Sequence, residues 1–337
     1  MSSGFDGAYA YARVCGSLAR SFLGERARNL ATCARVGEAW RAVFGESPPV
    51  LPENELASVA EFGLRARATD AFWNIAGPPL HDTPFFKSLL RKWEFAHLKR
   101  VLAAIVEGSP SAPATGAASL EPDFDVQGFP DLGKMLRNTR YEWVAESGID
   151  ALPAVKNRLD RQYHAELWDS VATIPAGLRG SIPALLRTEA ELENLVWGLR
   201  LKRYYSMDAA EIEPLLISLD GVDVKRPALR ALALRSDSRQ EWRGWKWERL
   251  VPDSRREDGG DWYFDVRGFE QAARGHLYRL LLRRLHFEPD GYVPLFAYFR
   301  IKEFEALAIH GIIEGIKLEA PAAEIGEFAA RTTGVGA

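Results

Sequence analysis

The chain has 337 residues, of which 47% are hydrophobic and 26% are charged. These fractions are ordinary for a soluble globular protein, and the length is sufficient for two or three domain-sized units. The formal net charge of −3 provides no global basic field to attract nucleic acid, and no stretch approaches the roughly 18 apolar residues that a membrane-spanning helix requires.

Predicted helices follow one another along almost the whole chain. Apolar residues at helical spacing predict helices over residues 9–44, 53–75, 85–107, 131–147, 153–171, 188–205, 266–285 and 293–318. A short helix is expected near Met207, with Asp208 as its N-cap. Residues 108–122 are rich in Ser, Pro, Ala and Gly and predict a flexible connector. Residues 262–264 are the best strand candidate, so the chain is predicted to be mainly α.

The N-terminus and the cysteines indicate a reducing compartment. Residues 1–24 contain no apolar signal-peptide core and are interrupted by charged side chains. Cys15 and Cys33 are the only cysteines, and their spacing fits no metal-binding motif. We therefore expect them to be buried free thiols.

One helical phrase occurs three times, about a hundred residues apart. Its copies are E-F-A-H-L at residues 94–98, E-L-E-N-L at residues 191–195 and E-F-E-A-L at residues 303–307. Apolar residues follow each copy at three- and four-residue steps, which is typical of a buried helix face. Recurrence at a near-constant period indicates internal repeats. We therefore predict three similar helical-bundle units, residues 1–107, 108–217 and 218–337, arranged in one compact body with approximate threefold symmetry.

Four segments along the chain occur in a distinctive order. They are Y-A-Y-A-R-V at residues 9–14, K-N-R-L-D-R-Q-Y at residues 156–163, L-L-R-T-E-A-E-L-E-N-L at residues 185–195 and F-R-I-K-E-F-E-A-L at residues 299–307. In this order and spacing they resemble the C-subunit family of V-type ATPases, whose members in eukaryotic complexes are called d subunits. The resemblance covers about residues 9–324, which is nearly the whole chain.

The resemblance implies a fold and a mechanical role. Members of the family form a funnel of three helical bundles around a pseudo-threefold axis. One copy sits on the membrane rotor ring and receives the foot of the central stalk, so torque passes between the soluble ATPase head and the proteolipid ring. The chain is thus expected to be a non-catalytic socket protein for ATP-driven transport of protons or sodium ions, or for ATP synthesis.

The same resemblance implies where the chain works and what it lacks. It is expected to be cytoplasmic and peripheral, held to the membrane by contacts with proteins only. No catalytic, cofactor-binding or metal-binding residue is nominated, and no nucleic acid partner is expected. The alternative is a soluble helical-repeat scaffold for an unrelated protein partner, and a helical enzyme with an unrecognised site is a third hypothesis.

Two features depart from the family pattern. The segment over residues 235–261 is longer, and richer in Trp and Arg, than the family pattern predicts. It is interpreted as a basic aromatic patch for nucleic acid or lipid headgroups, as a loop at the ring or stalk interface, or as aromatic side chains packed over the end of a bundle. The fourth residue of the phrase is His97 in the first copy, Asn194 in the second and Ala306 in the third. The phrase therefore predicts packing and capping rather than a repeated ligand site.

The remaining motifs favour structure over chemistry. The six histidines are scattered and include no H-E-x-x-H pair. Glycine-rich residues 177–181 lie between predicted helices and are expected to form a loop rather than a phosphate cradle. Gly311 and Gly315 have the spacing of closely packed helices. Because glutamates flank them, we expect another helix of the bundle to approach this face.

Overall fold

The structure is a computed structural model that describes residues 6–113, 122–255 and 261–333. These ranges contain α-helices joined by short 3₁₀ turns and no β-strand. In chain order the helices are α1 (Gly7–Leu18), α2 (Glu25–Leu30), α3 (Val36–Phe44), α4 (Glu53–Ala76), α5 (Pro84–Val106), α6 (Leu132–Met135), α7 (Glu142–Ser147), α8 (Leu152–Ser170), α9 (Ala176–Arg179), α10 (Ile182–Tyr205), α11 (Ala209–Ile212), α12 (Arg226–Ala233), α13 (Val266–Phe287), α14 (Val293–Lys317) and α15 (Ala322–Thr333). The prediction of a mainly α fold is confirmed.

The long helices begin and end close to the positions that the apolar spacing predicts. Proline occupies the first turn of α5, α8, α10 and α14. This position suits proline, because the first N–H groups of a helix have no intrahelical acceptor. The predicted cap of α11 is also confirmed. Asp208 Oδ1 accepts from the Glu211 N–H at 2.9 Å, and Glu211 Oε2 accepts from the Asp208 N–H at 2.9 Å.

Several local predictions are wrong. Residues 9–44 form three helices instead of one, and the first break includes Gly24, whose φ of +58° lies in the left-handed region. Residues 131–147 are likewise divided between α6 and α7. Residues 262–264 form no strand, because an isolated bridge to Arg255 is their only ladder contact with a described residue.

The cysteines also differ from expectation, whereas most of the predicted connector lies outside the described residues. Cys15 and Cys33 are free thiols, but they are only half-buried. Burial raises the pKa of Cys33, which favours its protonated form. The connector predicted over residues 108–122 has its centre, residues 114–121, outside the described residues.

Three main hydrophobic cores hold the helices together. The largest combines α1, α5, α8, the end of α4 and the first half of α14. The second lies between α10, α12 and α13. The third joins α2, α3 and the first half of α4 to the second half of α14 and to α15. Helix α14 therefore contributes to two cores, and the division into three units stays a prediction.

The described tryptophans of the Trp/Arg-rich segment lie inside the second core. Trp242, Trp245 and Trp247 are 1%, 4% and 4% exposed. The Trp242 ring stacks on Phe264 with a centroid distance of 4.2 Å, and its Nε1–H donates to the Arg235 carbonyl at 2.9 Å. This burial supports packed aromatic side chains and contradicts an exposed aromatic patch.

The glycine face of α14 packs against α15. A Cβ atom at Gly311 would lie 1.9 Å from the Phe328 ring, and one at Gly315 would lie 2.8 Å from Ile325 Cγ1. The predicted close approach of another helix is thus confirmed. In the described part of the chain, no helix combines the length and the apolar character that crossing a bilayer requires.

Candidate functional site: the charged cavity

A cavity of about 730 Å³ lies between the long helices, and we call it the charged cavity. Its wall is formed by side chains of α4, α5, α8, α10, α13 and α14. Apolar groups cover most of the wall, including Trp93, Trp197, Leu277 and Phe304. The volume is within the range of about 300–1,000 Å³ that is typical of binding sites. All three helices that carry the repeated phrase contribute to this wall.

Four charged side chains from those three helices form a cluster in the wall. On α5, Lys92 Nζ lies 3.1 Å from Glu303 Oε1 and 3.8 Å from Glu189 Oε1. On α14, Arg300 Nη1 donates to Glu303 Oε2 at 2.7 Å, and its Nη2 lies 3.0 Å from Glu189 Oε1. Glu189 belongs to α10, so each phrase-bearing helix supplies at least one charge. Arg300 and Glu189 are only 2% and 3% exposed, so they interact away from bulk water.

The charges of the cluster reinforce one another. Burial opposes the charged form of Lys92, but nearby carboxylates, chiefly Glu303, outweigh it and raise the pKa of Lys92. Burial likewise opposes ionisation of Glu303, yet Lys92 and Arg300 lower the pKa of that carboxyl. In the same wall, Glu193 Oε2 lies 2.7 Å from His164 Nε2. Against the effect of burial, His164 lowers the pKa of Glu193 to about 2. Lys92, Glu303 and Glu193 are therefore charged at neutral pH.

The glutamates that open the three phrases have different partners. Glu94 accepts a hydrogen bond from Tyr141 Oη at 2.8 Å, and Glu191 pairs with Lys246. Glu303 belongs to the buried cluster. Because burial outweighs the hydrogen bonds of Glu94, its pKa is raised, whereas the pKa of Glu303 is lowered. One sequence position thus has opposite electrostatic environments in two copies of the phrase.

The fourth residue of the phrase anchors neighbouring backbone in one copy and packs in the other two. Asn194 Nδ2 donates to the carbonyls of Ile217 at 3.0 Å and Val224 at 3.1 Å, and its Oδ1 accepts from the Ile217 N–H at 2.6 Å. His97 is buried, and this burial is the chief reason that its pKa is lowered to about 4. Ala306 lines the cavity with a methyl group. These different roles agree with packing and capping rather than a repeated ligand site.

The other motifs are used in packing and turns. The loop predicted over residues 177–181 is only partly found, because residues 177–179 belong to the short helix α9 and only residues 180–181 connect it to α10. The Ser181 N–H donates to Glu288 Oε2 at 2.8 Å. A carboxylate of the chain itself thus contacts the turn that a phosphate cradle would need. Across the described ranges, no three His, Cys, Asp or Glu side chains are grouped closely enough to hold a metal ion.

None of the four residues in the buried cluster was predicted from the sequence to belong to a site. One signal was present in the third copy. Arg300 is the only charged residue between Val293 and Ile301, a segment that is otherwise apolar. A charge within a segment buried on all sides requires a partner. The partners themselves, Glu189 and Lys92, come from distant parts of the chain and have no local signature.

The fold and the cavity define a mainly helical protein with a largely apolar cavity and a buried ionic cluster. A sequence model of the family described as ATP synthase (C/AC39) subunit matches residues 71–328. This match covers more than half of the chain, so the protein belongs to that family, and the resemblance found in the sequence is confirmed. The chain is also 25% identical over 320 residues to an uncharacterized protein of Treponema pallidum (strain Nichols), in an alignment that covers 91% of this chain and 92% of that protein.

Proposed function

We propose that this chain is a non-catalytic socket protein within a rotary V-type or archaeal-type ATPase. In this role it seats the central stalk on the membrane proteolipid ring. It transmits torque for ATP-driven transport of protons or sodium ions, or for ATP synthesis. It binds the cytoplasmic face of the membrane through protein contacts, and three helical units around the charged cavity form its funnel.

The observation that carries the proposal is the position of the charged cavity between the three phrase-bearing helices. Helices α5, α10 and α14 each contribute wall residues and at least one member of the buried ionic cluster. A stalk end inserted there would contact all three helices at once. Membership of the ATP synthase (C/AC39) subunit family supports a place in such a complex.

The packing around the cavity suits a part that transmits force. Aromatic side chains interlock where α4, α5 and α14 meet, with Phe72 5.4 Å from Phe86 and 6.1 Å from Phe299 between ring centroids. All three rings are at most 1% exposed. Close-packed interiors have low compressibility, so a load on the cavity wall is transmitted rather than absorbed.

The test is affinity purification of the tagged full-length chain from native membranes in mild detergent, followed by mass spectrometry. We expect the stalk proteins, the catalytic head and the proteolipid to be recovered together. Recovery of the chain alone, or with unrelated soluble proteins, would exclude the socket role and favour a helical scaffold for another partner.

A further inference from the structure

The wall of the charged cavity contains polar atoms without hydrogen-bond partners. Five such buried atoms form no hydrogen bond with any described residue, namely Trp93 Nε1, Asn157 Oδ1, Arg161 Nε, Arg300 Nε and Arg300 Nη2. Arg300 Nη2 lies 3.0 Å from Glu189 Oε1, but the two groups are not aligned for a hydrogen bond. Only the Asn157 atom is an acceptor, and the other four atoms carry N–H groups. A buried donor without an acceptor is destabilising. Three of the donor atoms belong to the guanidinium groups of Arg161 and Arg300, whose positive charge favours an occupant that brings acceptor groups.

The cavity also has an excess of positive charge. Of the described side chains that line it, seven are basic and five are acidic, although the whole chain has a net charge of −3. Each acidic side chain has a basic partner within the chain, as for Asp160, whose Oδ1 lies 2.6 Å from Lys99 Nζ. Among the described residues Lys156 has no such carboxylate partner, and Arg161 Nη1 donates to the Pro214 carbonyl at 2.8 Å. The uncompensated charge in the cavity is thus positive.

The size and the apolar lining define the rest of the occupant. A helix with side chains is about 10–12 Å in diameter, so a cavity of about 730 Å³ holds between one and two helical turns. Trp93, Trp197 and Phe304 offer apolar contact area to such a helix end.

We propose that the charged cavity receives the acidic end of an otherwise apolar helix from a partner protein. Carboxylates at that end bind the basic wall, which presents Lys156, Arg161 and Arg200, although Arg200 also lies 3.7 Å from Glu270 Oε2. The buried guanidinium of Arg300 adds positive charge behind them. This inference rests on the proposed function, because the stalk is the partner that would supply the helix. It adds the chemistry by which the stalk is recognised.

The first test uses three fluorescein-labelled helical peptides of about 15 residues. Each has the same Leu/Ala-rich body, and the residues of its terminal turn are Glu, Gln or Lys. We expect the Glu peptide to bind the full-length protein at least tenfold more tightly than the Gln peptide in fluorescence anisotropy, and the Lys peptide to bind most weakly. Binding of the Glu peptide should weaken as salt is raised, because screening acts on the exposed charges at the mouth.

The second test reverses charge inside and outside the cavity. The cavity variant is K156E/R200E, in which Arg200 has a side chain that is 48% exposed. The matched control is K134E/R331E, two positions that are 74% and 58% exposed and do not line the cavity. Both variants change the net charge equally. Circular dichroism and the thermal midpoint verify that each variant is folded before binding is measured.

The expected result is that K156E/R200E loses at least tenfold in affinity for the Glu peptide and fails to recover stalk proteins from membranes, whereas K134E/R331E behaves as wild type. Equal binding of the Gln or Lys peptide would overturn the inference. Undiminished recovery of the stalk by folded K156E/R200E would also overturn it and would leave the socket role intact. Selective binding of the Glu peptide, with no stalk recovered by the wild-type chain, would support the acidic occupant and reject the socket role.

Discussion

Removing Arg300 tests whether the buried cluster holds the three phrase-bearing helices in place. Arg300→Met keeps a long side chain but removes a guanidinium that contacts both Glu189 and Glu303. Glu189 is 3% exposed, and among the described residues only Lys92 would remain as its charged partner, with Nζ 3.8 Å away. Breaking a buried ion pair costs about 3–5 kcal/mol, because the remaining charge has no compensation. We expect a loss of unfolding free energy of this size.

The double variant Arg300→Met/Glu189→Gln isolates the charge contribution. Replacing Glu189 with a neutral amide removes the charge that Arg300→Met leaves unpaired. Contacting residues typically show interaction energies of about 0.5–3 kcal/mol in such cycles. The double variant should therefore be more stable than the sum of the two single losses predicts.

The assay is urea unfolding at pH 7, followed by circular dichroism, with the slope compared among variants before the midpoints are converted to free energies. Lys317→Met is the control, since Lys317 forms a partly exposed pair with Glu314 on the same helix. An exposed pair contributes about 1 kcal/mol or less. An Arg300→Met loss no larger than the control, or strictly additive losses in the cycle, would refute the argument.

Three further variants test the packing and electrostatics of single positions. Gly311→Leu should lower the melting temperature clearly, because even a Cβ atom at this position would lie 1.9 Å from the Phe328 ring. Burial lowers the pKa of His97 to about 4. Its neutral form therefore contributes unfolding free energy that is fully present above the unfolded pKa of about 6.5 and is lost as the pH falls towards 4. In His97→Leu the urea midpoint should therefore fall less than in wild type between about pH 6.5 and pH 4. The difference in unfolding free energy over this range is at most about 3 kcal/mol. Asn194→Ala should reduce the unfolding free energy by about 1–3 kcal/mol, because it leaves the buried Ile217 N–H without its acceptor.

Each of these variants has a result that contradicts its reasoning. Gly16→Leu is the control for Gly311, because no atom lies within 4 Å of a Cβ atom at that helical position; equal melting temperatures for the two variants would show that the α14 face tolerates a side chain. The exposed His81→Leu is the control for His97, and an unchanged decline in His97→Leu would assign the acid sensitivity to other groups. For Asn194→Ala, an unchanged urea midpoint would show that the three hydrogen bonds contribute nothing net.

Local periodicity predicted most of the helical framework. Helices α4, α5, α8 and α13 and the second half of α14 each bury a stripe of apolar residues, and that stripe is visible in the sequence. The failures occurred where a short tertiary contact decides the conformation. The break at Gly24 is an example, because a distant residue fixes the chain just before it: the Phe22 N–H donates to Glu305 Oε1 at 2.6 Å. No local pattern contains that contact.

The cavity could not be predicted from local patterns for a related reason. Lys92, Glu189 and Arg300 are about a hundred residues apart. Lys92 and Glu189 resemble ordinary charges on an amphipathic helix, and the apolar segment around Arg300 shows that it needs a partner but not which residue that partner is. Only the packing of α5, α10 and α14 shows that their side chains meet away from water. The same packing leaves donors in the wall without acceptors, which a sequence cannot reveal.

The repeated phrase and the buried cluster share one residue, Glu303, which opens the third copy and pairs with Lys92 and Arg300. The phrase recurs because its apolar positions must face a core, and its glutamates find unrelated partners, as Glu94 does with Tyr141 and Glu191 with Lys246. Lys92 and Glu189 each lie two residues before the glutamate of their phrase but carry opposite charges. Arg300 has a counterpart in Arg91, since each lies three residues before its glutamate, but Arg300 also contacts Glu189 from another helix. Because desolvating charges is costly and apolar residues often substitute for buried ion pairs without loss of stability, such a cluster is weak evidence for stability alone. Its position in the wall of a cavity with unpaired donors gives it a second consequence, namely a fixed charge pattern against which a partner helix can be recognised.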